Sequence, residues 1–479
     1  GAGWVVAGLA VGLIVLVAGW AAAVLRVLGH AVPAHQFGIC TGLGSRRRPG
    51  FTDWLAERLA DLARRGGAGP LLFGHLWTGT DAAEPRPIRE RAVDLRTMST
   101  CLTQGRPYEM PWEARGFFYE PAVWRTLFPA AVVDALEAAG PAVPPDGGDP
   151  EEWRWEDARA AAHPRGLRRL PEPHLLPVIV AVRLSLSFPL LISAVPLWTI
   201  DRRSPATSDA VRAFRAGGEA ADATPAFVPV WFTDGGFTSN FPVHLFDEAL
   251  PTRPTFAINL GDFLPGRAPS PDQSRNVEYA RGNRALLPSH RPLPEDGLGA
   301  LVGFVSAALA TSREWSDAAQ LTAPGMRDRV VRVLQSGSEG GLNLFMDAAT
   351  IDALAERGRA AASGLVDMFT QPHYGRGAGG EPVATGWDNH RWVRYRALLG
   401  ALPTWYASYA AGAAALAEVD PDRVGSYPLT ARDAAVADRL HALHLEAAAL
   451  LADPQNAAAV AHVEAEPRPA TVLRRVPVV

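Results

Sequence analysis

The sequence predicts an α/β domain followed by a helical extension, and three observations carry that expectation. An apolar, β-branched and aromatic run, Phe227 to Phe232, stops one threonine before Asp234-Gly235-Gly236. A buried strand therefore ends at a carboxylate and two residues of free backbone. Arg183 to Trp198 and Arg253 to Leu260, on either side of it, have the small-residue and apolar character of further buried segments. Beyond Leu260 the period changes: helical patterns run over Leu298 to Glu314, Ala348 to Phe369, His390 to Leu416 and Thr430 to Ala452. One short strand candidate, Arg329 to Leu334, interrupts them.

In chain order, residues 1–25 contain no charge and no proline, and Arg26 ends the run. That length suffices to cross a bilayer, and Gly8-x-x-x-Gly12 would let a second helix pack closely. The run is too long for the apolar core of a signal peptide. Arg26 and Arg46 to Arg48 follow it, so the positive-inside rule places the downstream chain on the cytoplasmic side of a bacterial membrane.

Thr52 to Arg65 predicts an amphipathic helix, capped by Thr52, with Trp54, Leu55, Leu59 and Leu62 on one face. Pro121 to Ala139 predicts another. Gly140 to His174, rich in Pro, Gly and charge, predicts an irregular surface insertion. If it acts instead as a lid, Trp153 and Trp155 are its lipid-facing residues. A polar stretch from Asp201 to about Pro225 links the buried segment to the Asp234 strand, and a loose tail begins at Pro454. No internal repeat is evident. These divisions give an apolar helix over 1–32, an α/β domain over 33–262 and a helical extension with its tail over 263–479.

Composition narrows the function classes. The 479 residues are 48% hydrophobic and 20% charged, which permits a substantial core. A net charge of -4 gives no general attraction to nucleic acid. All 46 basic residues are arginine, a compositional bias from which no function follows. Two cysteines, Cys40 and Cys101, make neither a disulfide framework nor a zinc site, and a reducing compartment is the expectation.

The order R-x-S-x-S-F-P from Arg183, then a strand, then D-G-G-x-x-x-N-x-P through Asp234, Gly235, Gly236, Asn240 and Pro242 resembles the second half of the patatin-like phospholipase domain. Pro70 to Trp77 and Asp94 to Tyr108, with its Thr-x-Gly, are weaker echoes of segments that precede it there. The resemblance covers residues 37–262. It implies a three-layer α/β/α domain and a serine acyl hydrolase that uses a Ser-Asp dyad. Asp234 would be the base that accepts the serine proton and returns it to the leaving group. Gly235, Gly236, Asn240 and Pro242 would support the motif.

The family's nucleophile sits in a G-x-S-x-G elbow behind a glycine-rich oxyanion loop. Gly42-Leu43-Gly44-Ser45-Arg46 and Ser336 to Gly341 lack the required spacing, and Ser185 and Ser187 are expected to pack and bond to backbone. The elbow is therefore expected upstream of residue 1, in a longer protein of which this chain is an N-terminally incomplete, inactive part. A dyad must lie on one side of a membrane. The run over 1–25 is then the second arm of a hairpin, a helix dipping into the interface, or a core helix.

Three functions follow as expectations: hydrolysis of fatty acyl esters in lipids at a membrane, non-catalytic binding of lipid or a partner, and acyl transfer to an acceptor other than water. No cofactor is implied. His30, His35, His163, His174 and His244 are scattered, and His441 and His444, one helical turn apart, lack a third ligand, so no metal site is expected.

Overall fold

The structure is a computed structural model. It describes residues 19–461 except 21–25, 46–47, 112–114, 146–147, 218–222, 265, 281–292, 294–295, 298, 302, 306, 309–310, 312–323, 341–342, 344, 373, 377–381, 417–418 and 420–428. The apolar run over 1–25 thus falls outside the described residues but for Gly19 and Trp20. Of the helix expected over Leu298 to Glu314, positions 298, 302, 306, 309–310 and 312–314 also fall outside them, and the described positions in between are helical. Among the described residues no helix is long and apolar enough to cross a membrane. The chain is mixed α/β with a helical C-terminal region, and it divides into two compact units, 1–240 and 241–478.

The first unit is built on a six-stranded sheet in the order β3-β2-β8-β7-β4-β5. These strands are β2 (Thr97–Cys101), β3 (Arg106–Met110), β4 (Phe118–Tyr119), β5 (Arg168–Arg169), β7 (Val195–Ile200) and β8 (Phe227–Asp234). Each neighbouring pair is antiparallel. β8 lies inside the sheet, which accounts for its apolar run: Val230 and Phe232 are buried, and Phe232 meets Tyr108 and Phe117 edge-on with centroids 5.4 and 5.2 Å away. A separate parallel pair joins β1 (Gly38–Cys40) to β6 (Leu190–Ile192). The two strands run so close that a Cβ on Gly38 would lie 2.1 Å from the Ser193 nitrogen.

Helices cover this sheet. Helix α1 (Phe51–Leu62) begins after Gly50, and Thr52 is buried inside its first turn. Asp53, not Thr52, ties down the helix entry by accepting from the Gly50 and Gly44 nitrogens at 2.8 and 2.7 Å. Helix α2 (Phe73–Thr78) follows. The helix expected over Pro121 to Ala139 is two, α3 (Pro121–Trp124) and α4 (Ala130–Ala139), because Pro129 restricts Phe128 and starts the second. Helix α6 (Val178–Ser185) packs on β2 and β8 and is almost wholly buried.

The stretch expected to be an irregular insertion and the polar link after Asp201 both contain helices. Helix α5 (Pro150–Ala162) starts at Asp149, whose side chain accepts from the Glu151 nitrogen at 2.8 Å, with Pro150 in the first turn. Trp155 is buried and stacks on Phe214, 5.0 Å between centroids. Trp153 donates to the Ala142 carbonyl at 2.6 Å and faces the Arg169 guanidinium 3.6 Å away. Neither tryptophan faces outward as the lid reading requires. Phe214 belongs to α7 (Pro205–Ala216), which occupies much of the stretch after Asp201.

In the second unit β9 (Ala257–Asp262) pairs in parallel with β11 (Val330–Gln335), which pairs antiparallel with β10 (Val277–Tyr279). β9, which the sequence joins to the first domain, thus shares a sheet with later strands. Helix α8 (Ala348–Thr370) covers one face through Val277, Val331, Val333, Ala361 and Leu365. The fully buried Arg357 on α8 donates to Gln273 at 3.0 Å and Glu339 at 2.8 Å, and also to the Leu334 carbonyl. A hairpin, β12 (Tyr374–Arg376) and β13 (Pro382–Ala384), precedes α9 (Trp387–Leu416), which packs against α10 (Ala431–Ala452) and α11 (Pro454–Ala461).

Candidate active site at the end of β8

Asp234 is the last residue of β8, opposite Ser99 of β2. Its backbone N–H donates to the Ser187 carbonyl at 3.1 Å, and the Thr233 hydroxyl donates to the same oxygen at 2.6 Å. The Ser99 hydroxyl lies 2.9 Å from the Thr233 carbonyl and 3.0 Å from that of Leu184. These bonds fix the strand end from both neighbouring segments. The chain then turns into one 3-10 turn, Gly235–Phe237, which the Asp234 carboxylate caps by accepting from the Gly236 nitrogen at 2.6 Å.

The glycine pair has a steric reason. A Cβ on Gly235 would lie 2.1 Å from the Met98 carbonyl oxygen, so β2 leaves no space for a side chain. One on Gly236 would meet the carboxylate of Asp234 at 2.9 Å and the amide oxygen of Asn240 at 3.0 Å. Asn240 therefore faces the same turn and is the last residue of the first unit. Thr238 bonds to Thr100 at 2.8 Å, and the buried Ser239 hydroxyl has no hydrogen-bond partner among the described residues. Pro242 lies in the second unit, where it precedes a turn over Val243–Phe246.

The two sequence motifs meet at Ser187. Arg183 is fully buried and donates to the Thr41 and Ser193 carbonyls at 2.9 and 3.0 Å, and to the Ser187 hydroxyl. Ser187 Oγ in turn donates to the Arg183 carbonyl at 2.7 Å, so this serine bonds to backbone as expected from its position. Burial pulls the Arg183 guanidinium down to about 10, still protonated near neutral pH. A buried cation is thus held by carbonyl oxygens just past the ends of β1 and β6.

A search for serines alone passes over Gly38-Ile39-Cys40-Thr41-Gly42, which has glycines at elbow spacing around a cysteine. β1 does end at Cys40, but its thiol approaches the Leu191 carbonyl at 3.3 Å, and the next helix begins only at Phe51. The strand-to-helix turn that exposes a nucleophile is not formed there.

The histidines take structural places. His163 lies against Trp198 and Phe227, burial lowers the pKa of His174, and Tyr409 and Tyr406 meet His441 and His444 at 2.7 and 3.4 Å. The sequence reading passes over His390, buried in α9 with its Nδ1 2.7 Å from Asp328 and its ring stacked on Trp387. The opening turn of α9 also carries Asp388 and Trp387, so nothing in the local pattern marks this histidine. Among the described residues no group of three or more His, Cys, Asp or Glu is placed to hold a metal ion.

No family model matches the sequence, and no solved structure matches it. Over 457 residues, 89% of the chain, it is 35% identical to a protein of Rhizobium meliloti (strain 1021) named RpoH suppressor. The chain spans 66% of that relative's length.

Proposed function

We propose that Asp234 is the general base of a patatin-like serine acyl hydrolase that cleaves fatty acyl esters of lipids, its serine supplied from N-terminal to residue 1. The supporting observation is the convergence of the R-x-S-x-S and D-G-G motifs on one strand end, through the Ser187 carbonyl and the Asp234 nitrogen 3.1 Å apart. A carboxylate held there by backbone on both sides has little freedom, and a base needs a fixed position more than it needs flexibility. The serine oxygen would attack the ester carbonyl as its proton passes to Asp234. The alcohol leaves with that proton, and water then releases the acid from the acyl-serine by the reverse proton path. Acyl transfer uses the same intermediate with a different acceptor. The reading also implies a three-layer α/β/α domain, which would be built on the six-stranded sheet. The apolar run over 1–25 would bring the site to a bilayer on the cytoplasmic side.

A second reading is favoured by the 2.6 Å bond from the Gly236 nitrogen: Asp234 only closes the turn, in a non-catalytic protein that binds lipid or a partner. Asp234→Asn separates the two, because the amide oxygen can still cap Gly236 while the basic charge is gone. In the full-length protein the hydrolase reading predicts that short-chain ester hydrolysis falls by roughly 10²–10⁴-fold with melting unchanged. Unchanged turnover would leave Asp234 as a turn residue.

A further inference from the structure

The sheet of the second unit has two unlike faces. One packs on α8 through valines. On the other, register aligns Asn259, Arg332 and Glu278 in a row across β9, β11 and β10. That row floors a cavity of about 940 Å³, whose walls include Arg267, Arg275 and Arg327. The described lining residues thus bring four guanidinium groups and a single carboxylate, Glu278.

That carboxylate is shared. Arg267 approaches it at 3.4 Å and Arg332 at 3.7 Å, both longer than a close ion pair, and the three side chains are between 39% and 46% exposed. Arg275 has its own acid, Asp272, at 3.8 Å. Arg327 contributes a side chain only 3% exposed, a cation brought to the cavity at a desolvation cost. Burial lowers its pKa, in line with that cost. Arg267, Arg275 and Arg332 thus reach solvent with acids no nearer than 3.4–3.8 Å, so a phosphate that enters the cavity can compete for their guanidinium groups.

We propose that this cavity binds a phosphate group, carried by a small soluble molecule or by a lipid head. The planar fork of arginine matches phosphate oxygens two at a time, and the volume lies at the upper end of small-molecule sites. Nucleic acid is disfavoured by the net charge of -4. The cavity is lined by residues of the second unit, and the proposal does not depend on the hydrolase reading.

Calorimetric titration of the chain with inorganic pyrophosphate, and co-sedimentation with phosphatidylcholine vesicles with and without phosphatidic acid, test both sources. Saturable binding of pyrophosphate assigns a soluble ligand; binding only to vesicles with phosphatidic acid assigns a lipid head group. Arg332→Gln and Arg267→Gln should each weaken whichever binding is seen by about tenfold. Glu278→Gln should strengthen it several-fold, a gain that misfolding cannot produce. The proposal is overturned if neither probe binds saturably, or if all three variants bind as the parent does.

Discussion

The Ser187 carbonyl accepts from the Asp234 nitrogen at 3.1 Å and from the Thr233 hydroxyl, 46 residues away in sequence, and so joins the two motifs of the first unit. The side chain of Ser187 works separately from that carbonyl: it accepts from Arg183 and donates back to the Arg183 carbonyl. Ser187→Ala leaves a buried guanidinium with one acceptor fewer and should cost about 1–3 kcal/mol in urea unfolding. If the protein is the proposed hydrolase, the variant should keep its ester hydrolysis, because that proposal places the nucleophile elsewhere. Loss of turnover with stability intact would contradict that assignment.

The two glycines should respond differently to alanine. At Gly235 the new methyl would meet the Met98 carbonyl, backbone of an interior strand, at 2.1 Å. The cost should exceed about 3 kcal/mol, or the strand should lose its register. At Gly236 the opposing atoms are the side chains of Asp234 and Asn240, which can move a few tenths of an ångström. A cost near 1 kcal/mol is expected there. Thermal melts of the two variants give the comparison directly, and equal losses would remove the steric account.

Acid should loosen the second unit through Glu339. Hydrogen bonding from Arg357 holds its carboxyl down at about 2, below the ordinary 4.5. A folded-state pKa depressed in this way stabilises the protein above pH 4.5, and the contribution is lost as pH falls from there toward 2. Glu339→Gln should flatten the pH dependence of unfolding over that window. An unchanged slope would place the acid sensitivity elsewhere.

Helix α5 depends on its cap. Asp149→Ala removes the acceptor for the Glu151 nitrogen and should cost about 1 kcal/mol. Because Trp155 of this helix stacks on Phe214, its fluorescence should report the loosening before global unfolding. If Trp155 emission is unaffected at all urea concentrations below the main transition, the helix is held by other contacts.

β8 is legible in the sequence because its run is β-branched and aromatic, with Val230 and Phe232 on the buried face, and its end is legible because Asp-Gly-Gly punctuates it. The long helices α8, α9 and α10 are legible from their length and caps, Thr430 among them. Helix α5 is not, and the reason is physical: beside Trp155 and Ala160, charged side chains share in the contacts that bury it. Glu156 is almost fully buried against Arg169 at 2.8 Å, and Asp157 meets the same arginine at 2.6 Å, so hydrophobic periodicity carries no sign of the packing. At the candidate site, Asp234 and both glycines stand out in the chain, whereas Arg183 takes its place through the Thr41 carbonyl 142 residues away, and Ser187 through its own carbonyl, which accepts from Thr233 46 residues away. Such backbone acceptors have no residue signature.

The place of β8 also governs the order in which the first unit can assemble. Its neighbours are β2, more than 130 residues earlier by the Ser99 to Thr233 bond, and β7. Until β8 is inserted, β2 and β7 each present an open edge, and the sheet remains two ribbons with exposed backbone. Contacts of such long range close slowly. A nascent chain or truncation ending before Phe227 therefore exposes two sticky edges at once, and the carboxylate at position 234 becomes ordered only in the last step that also seals the sheet.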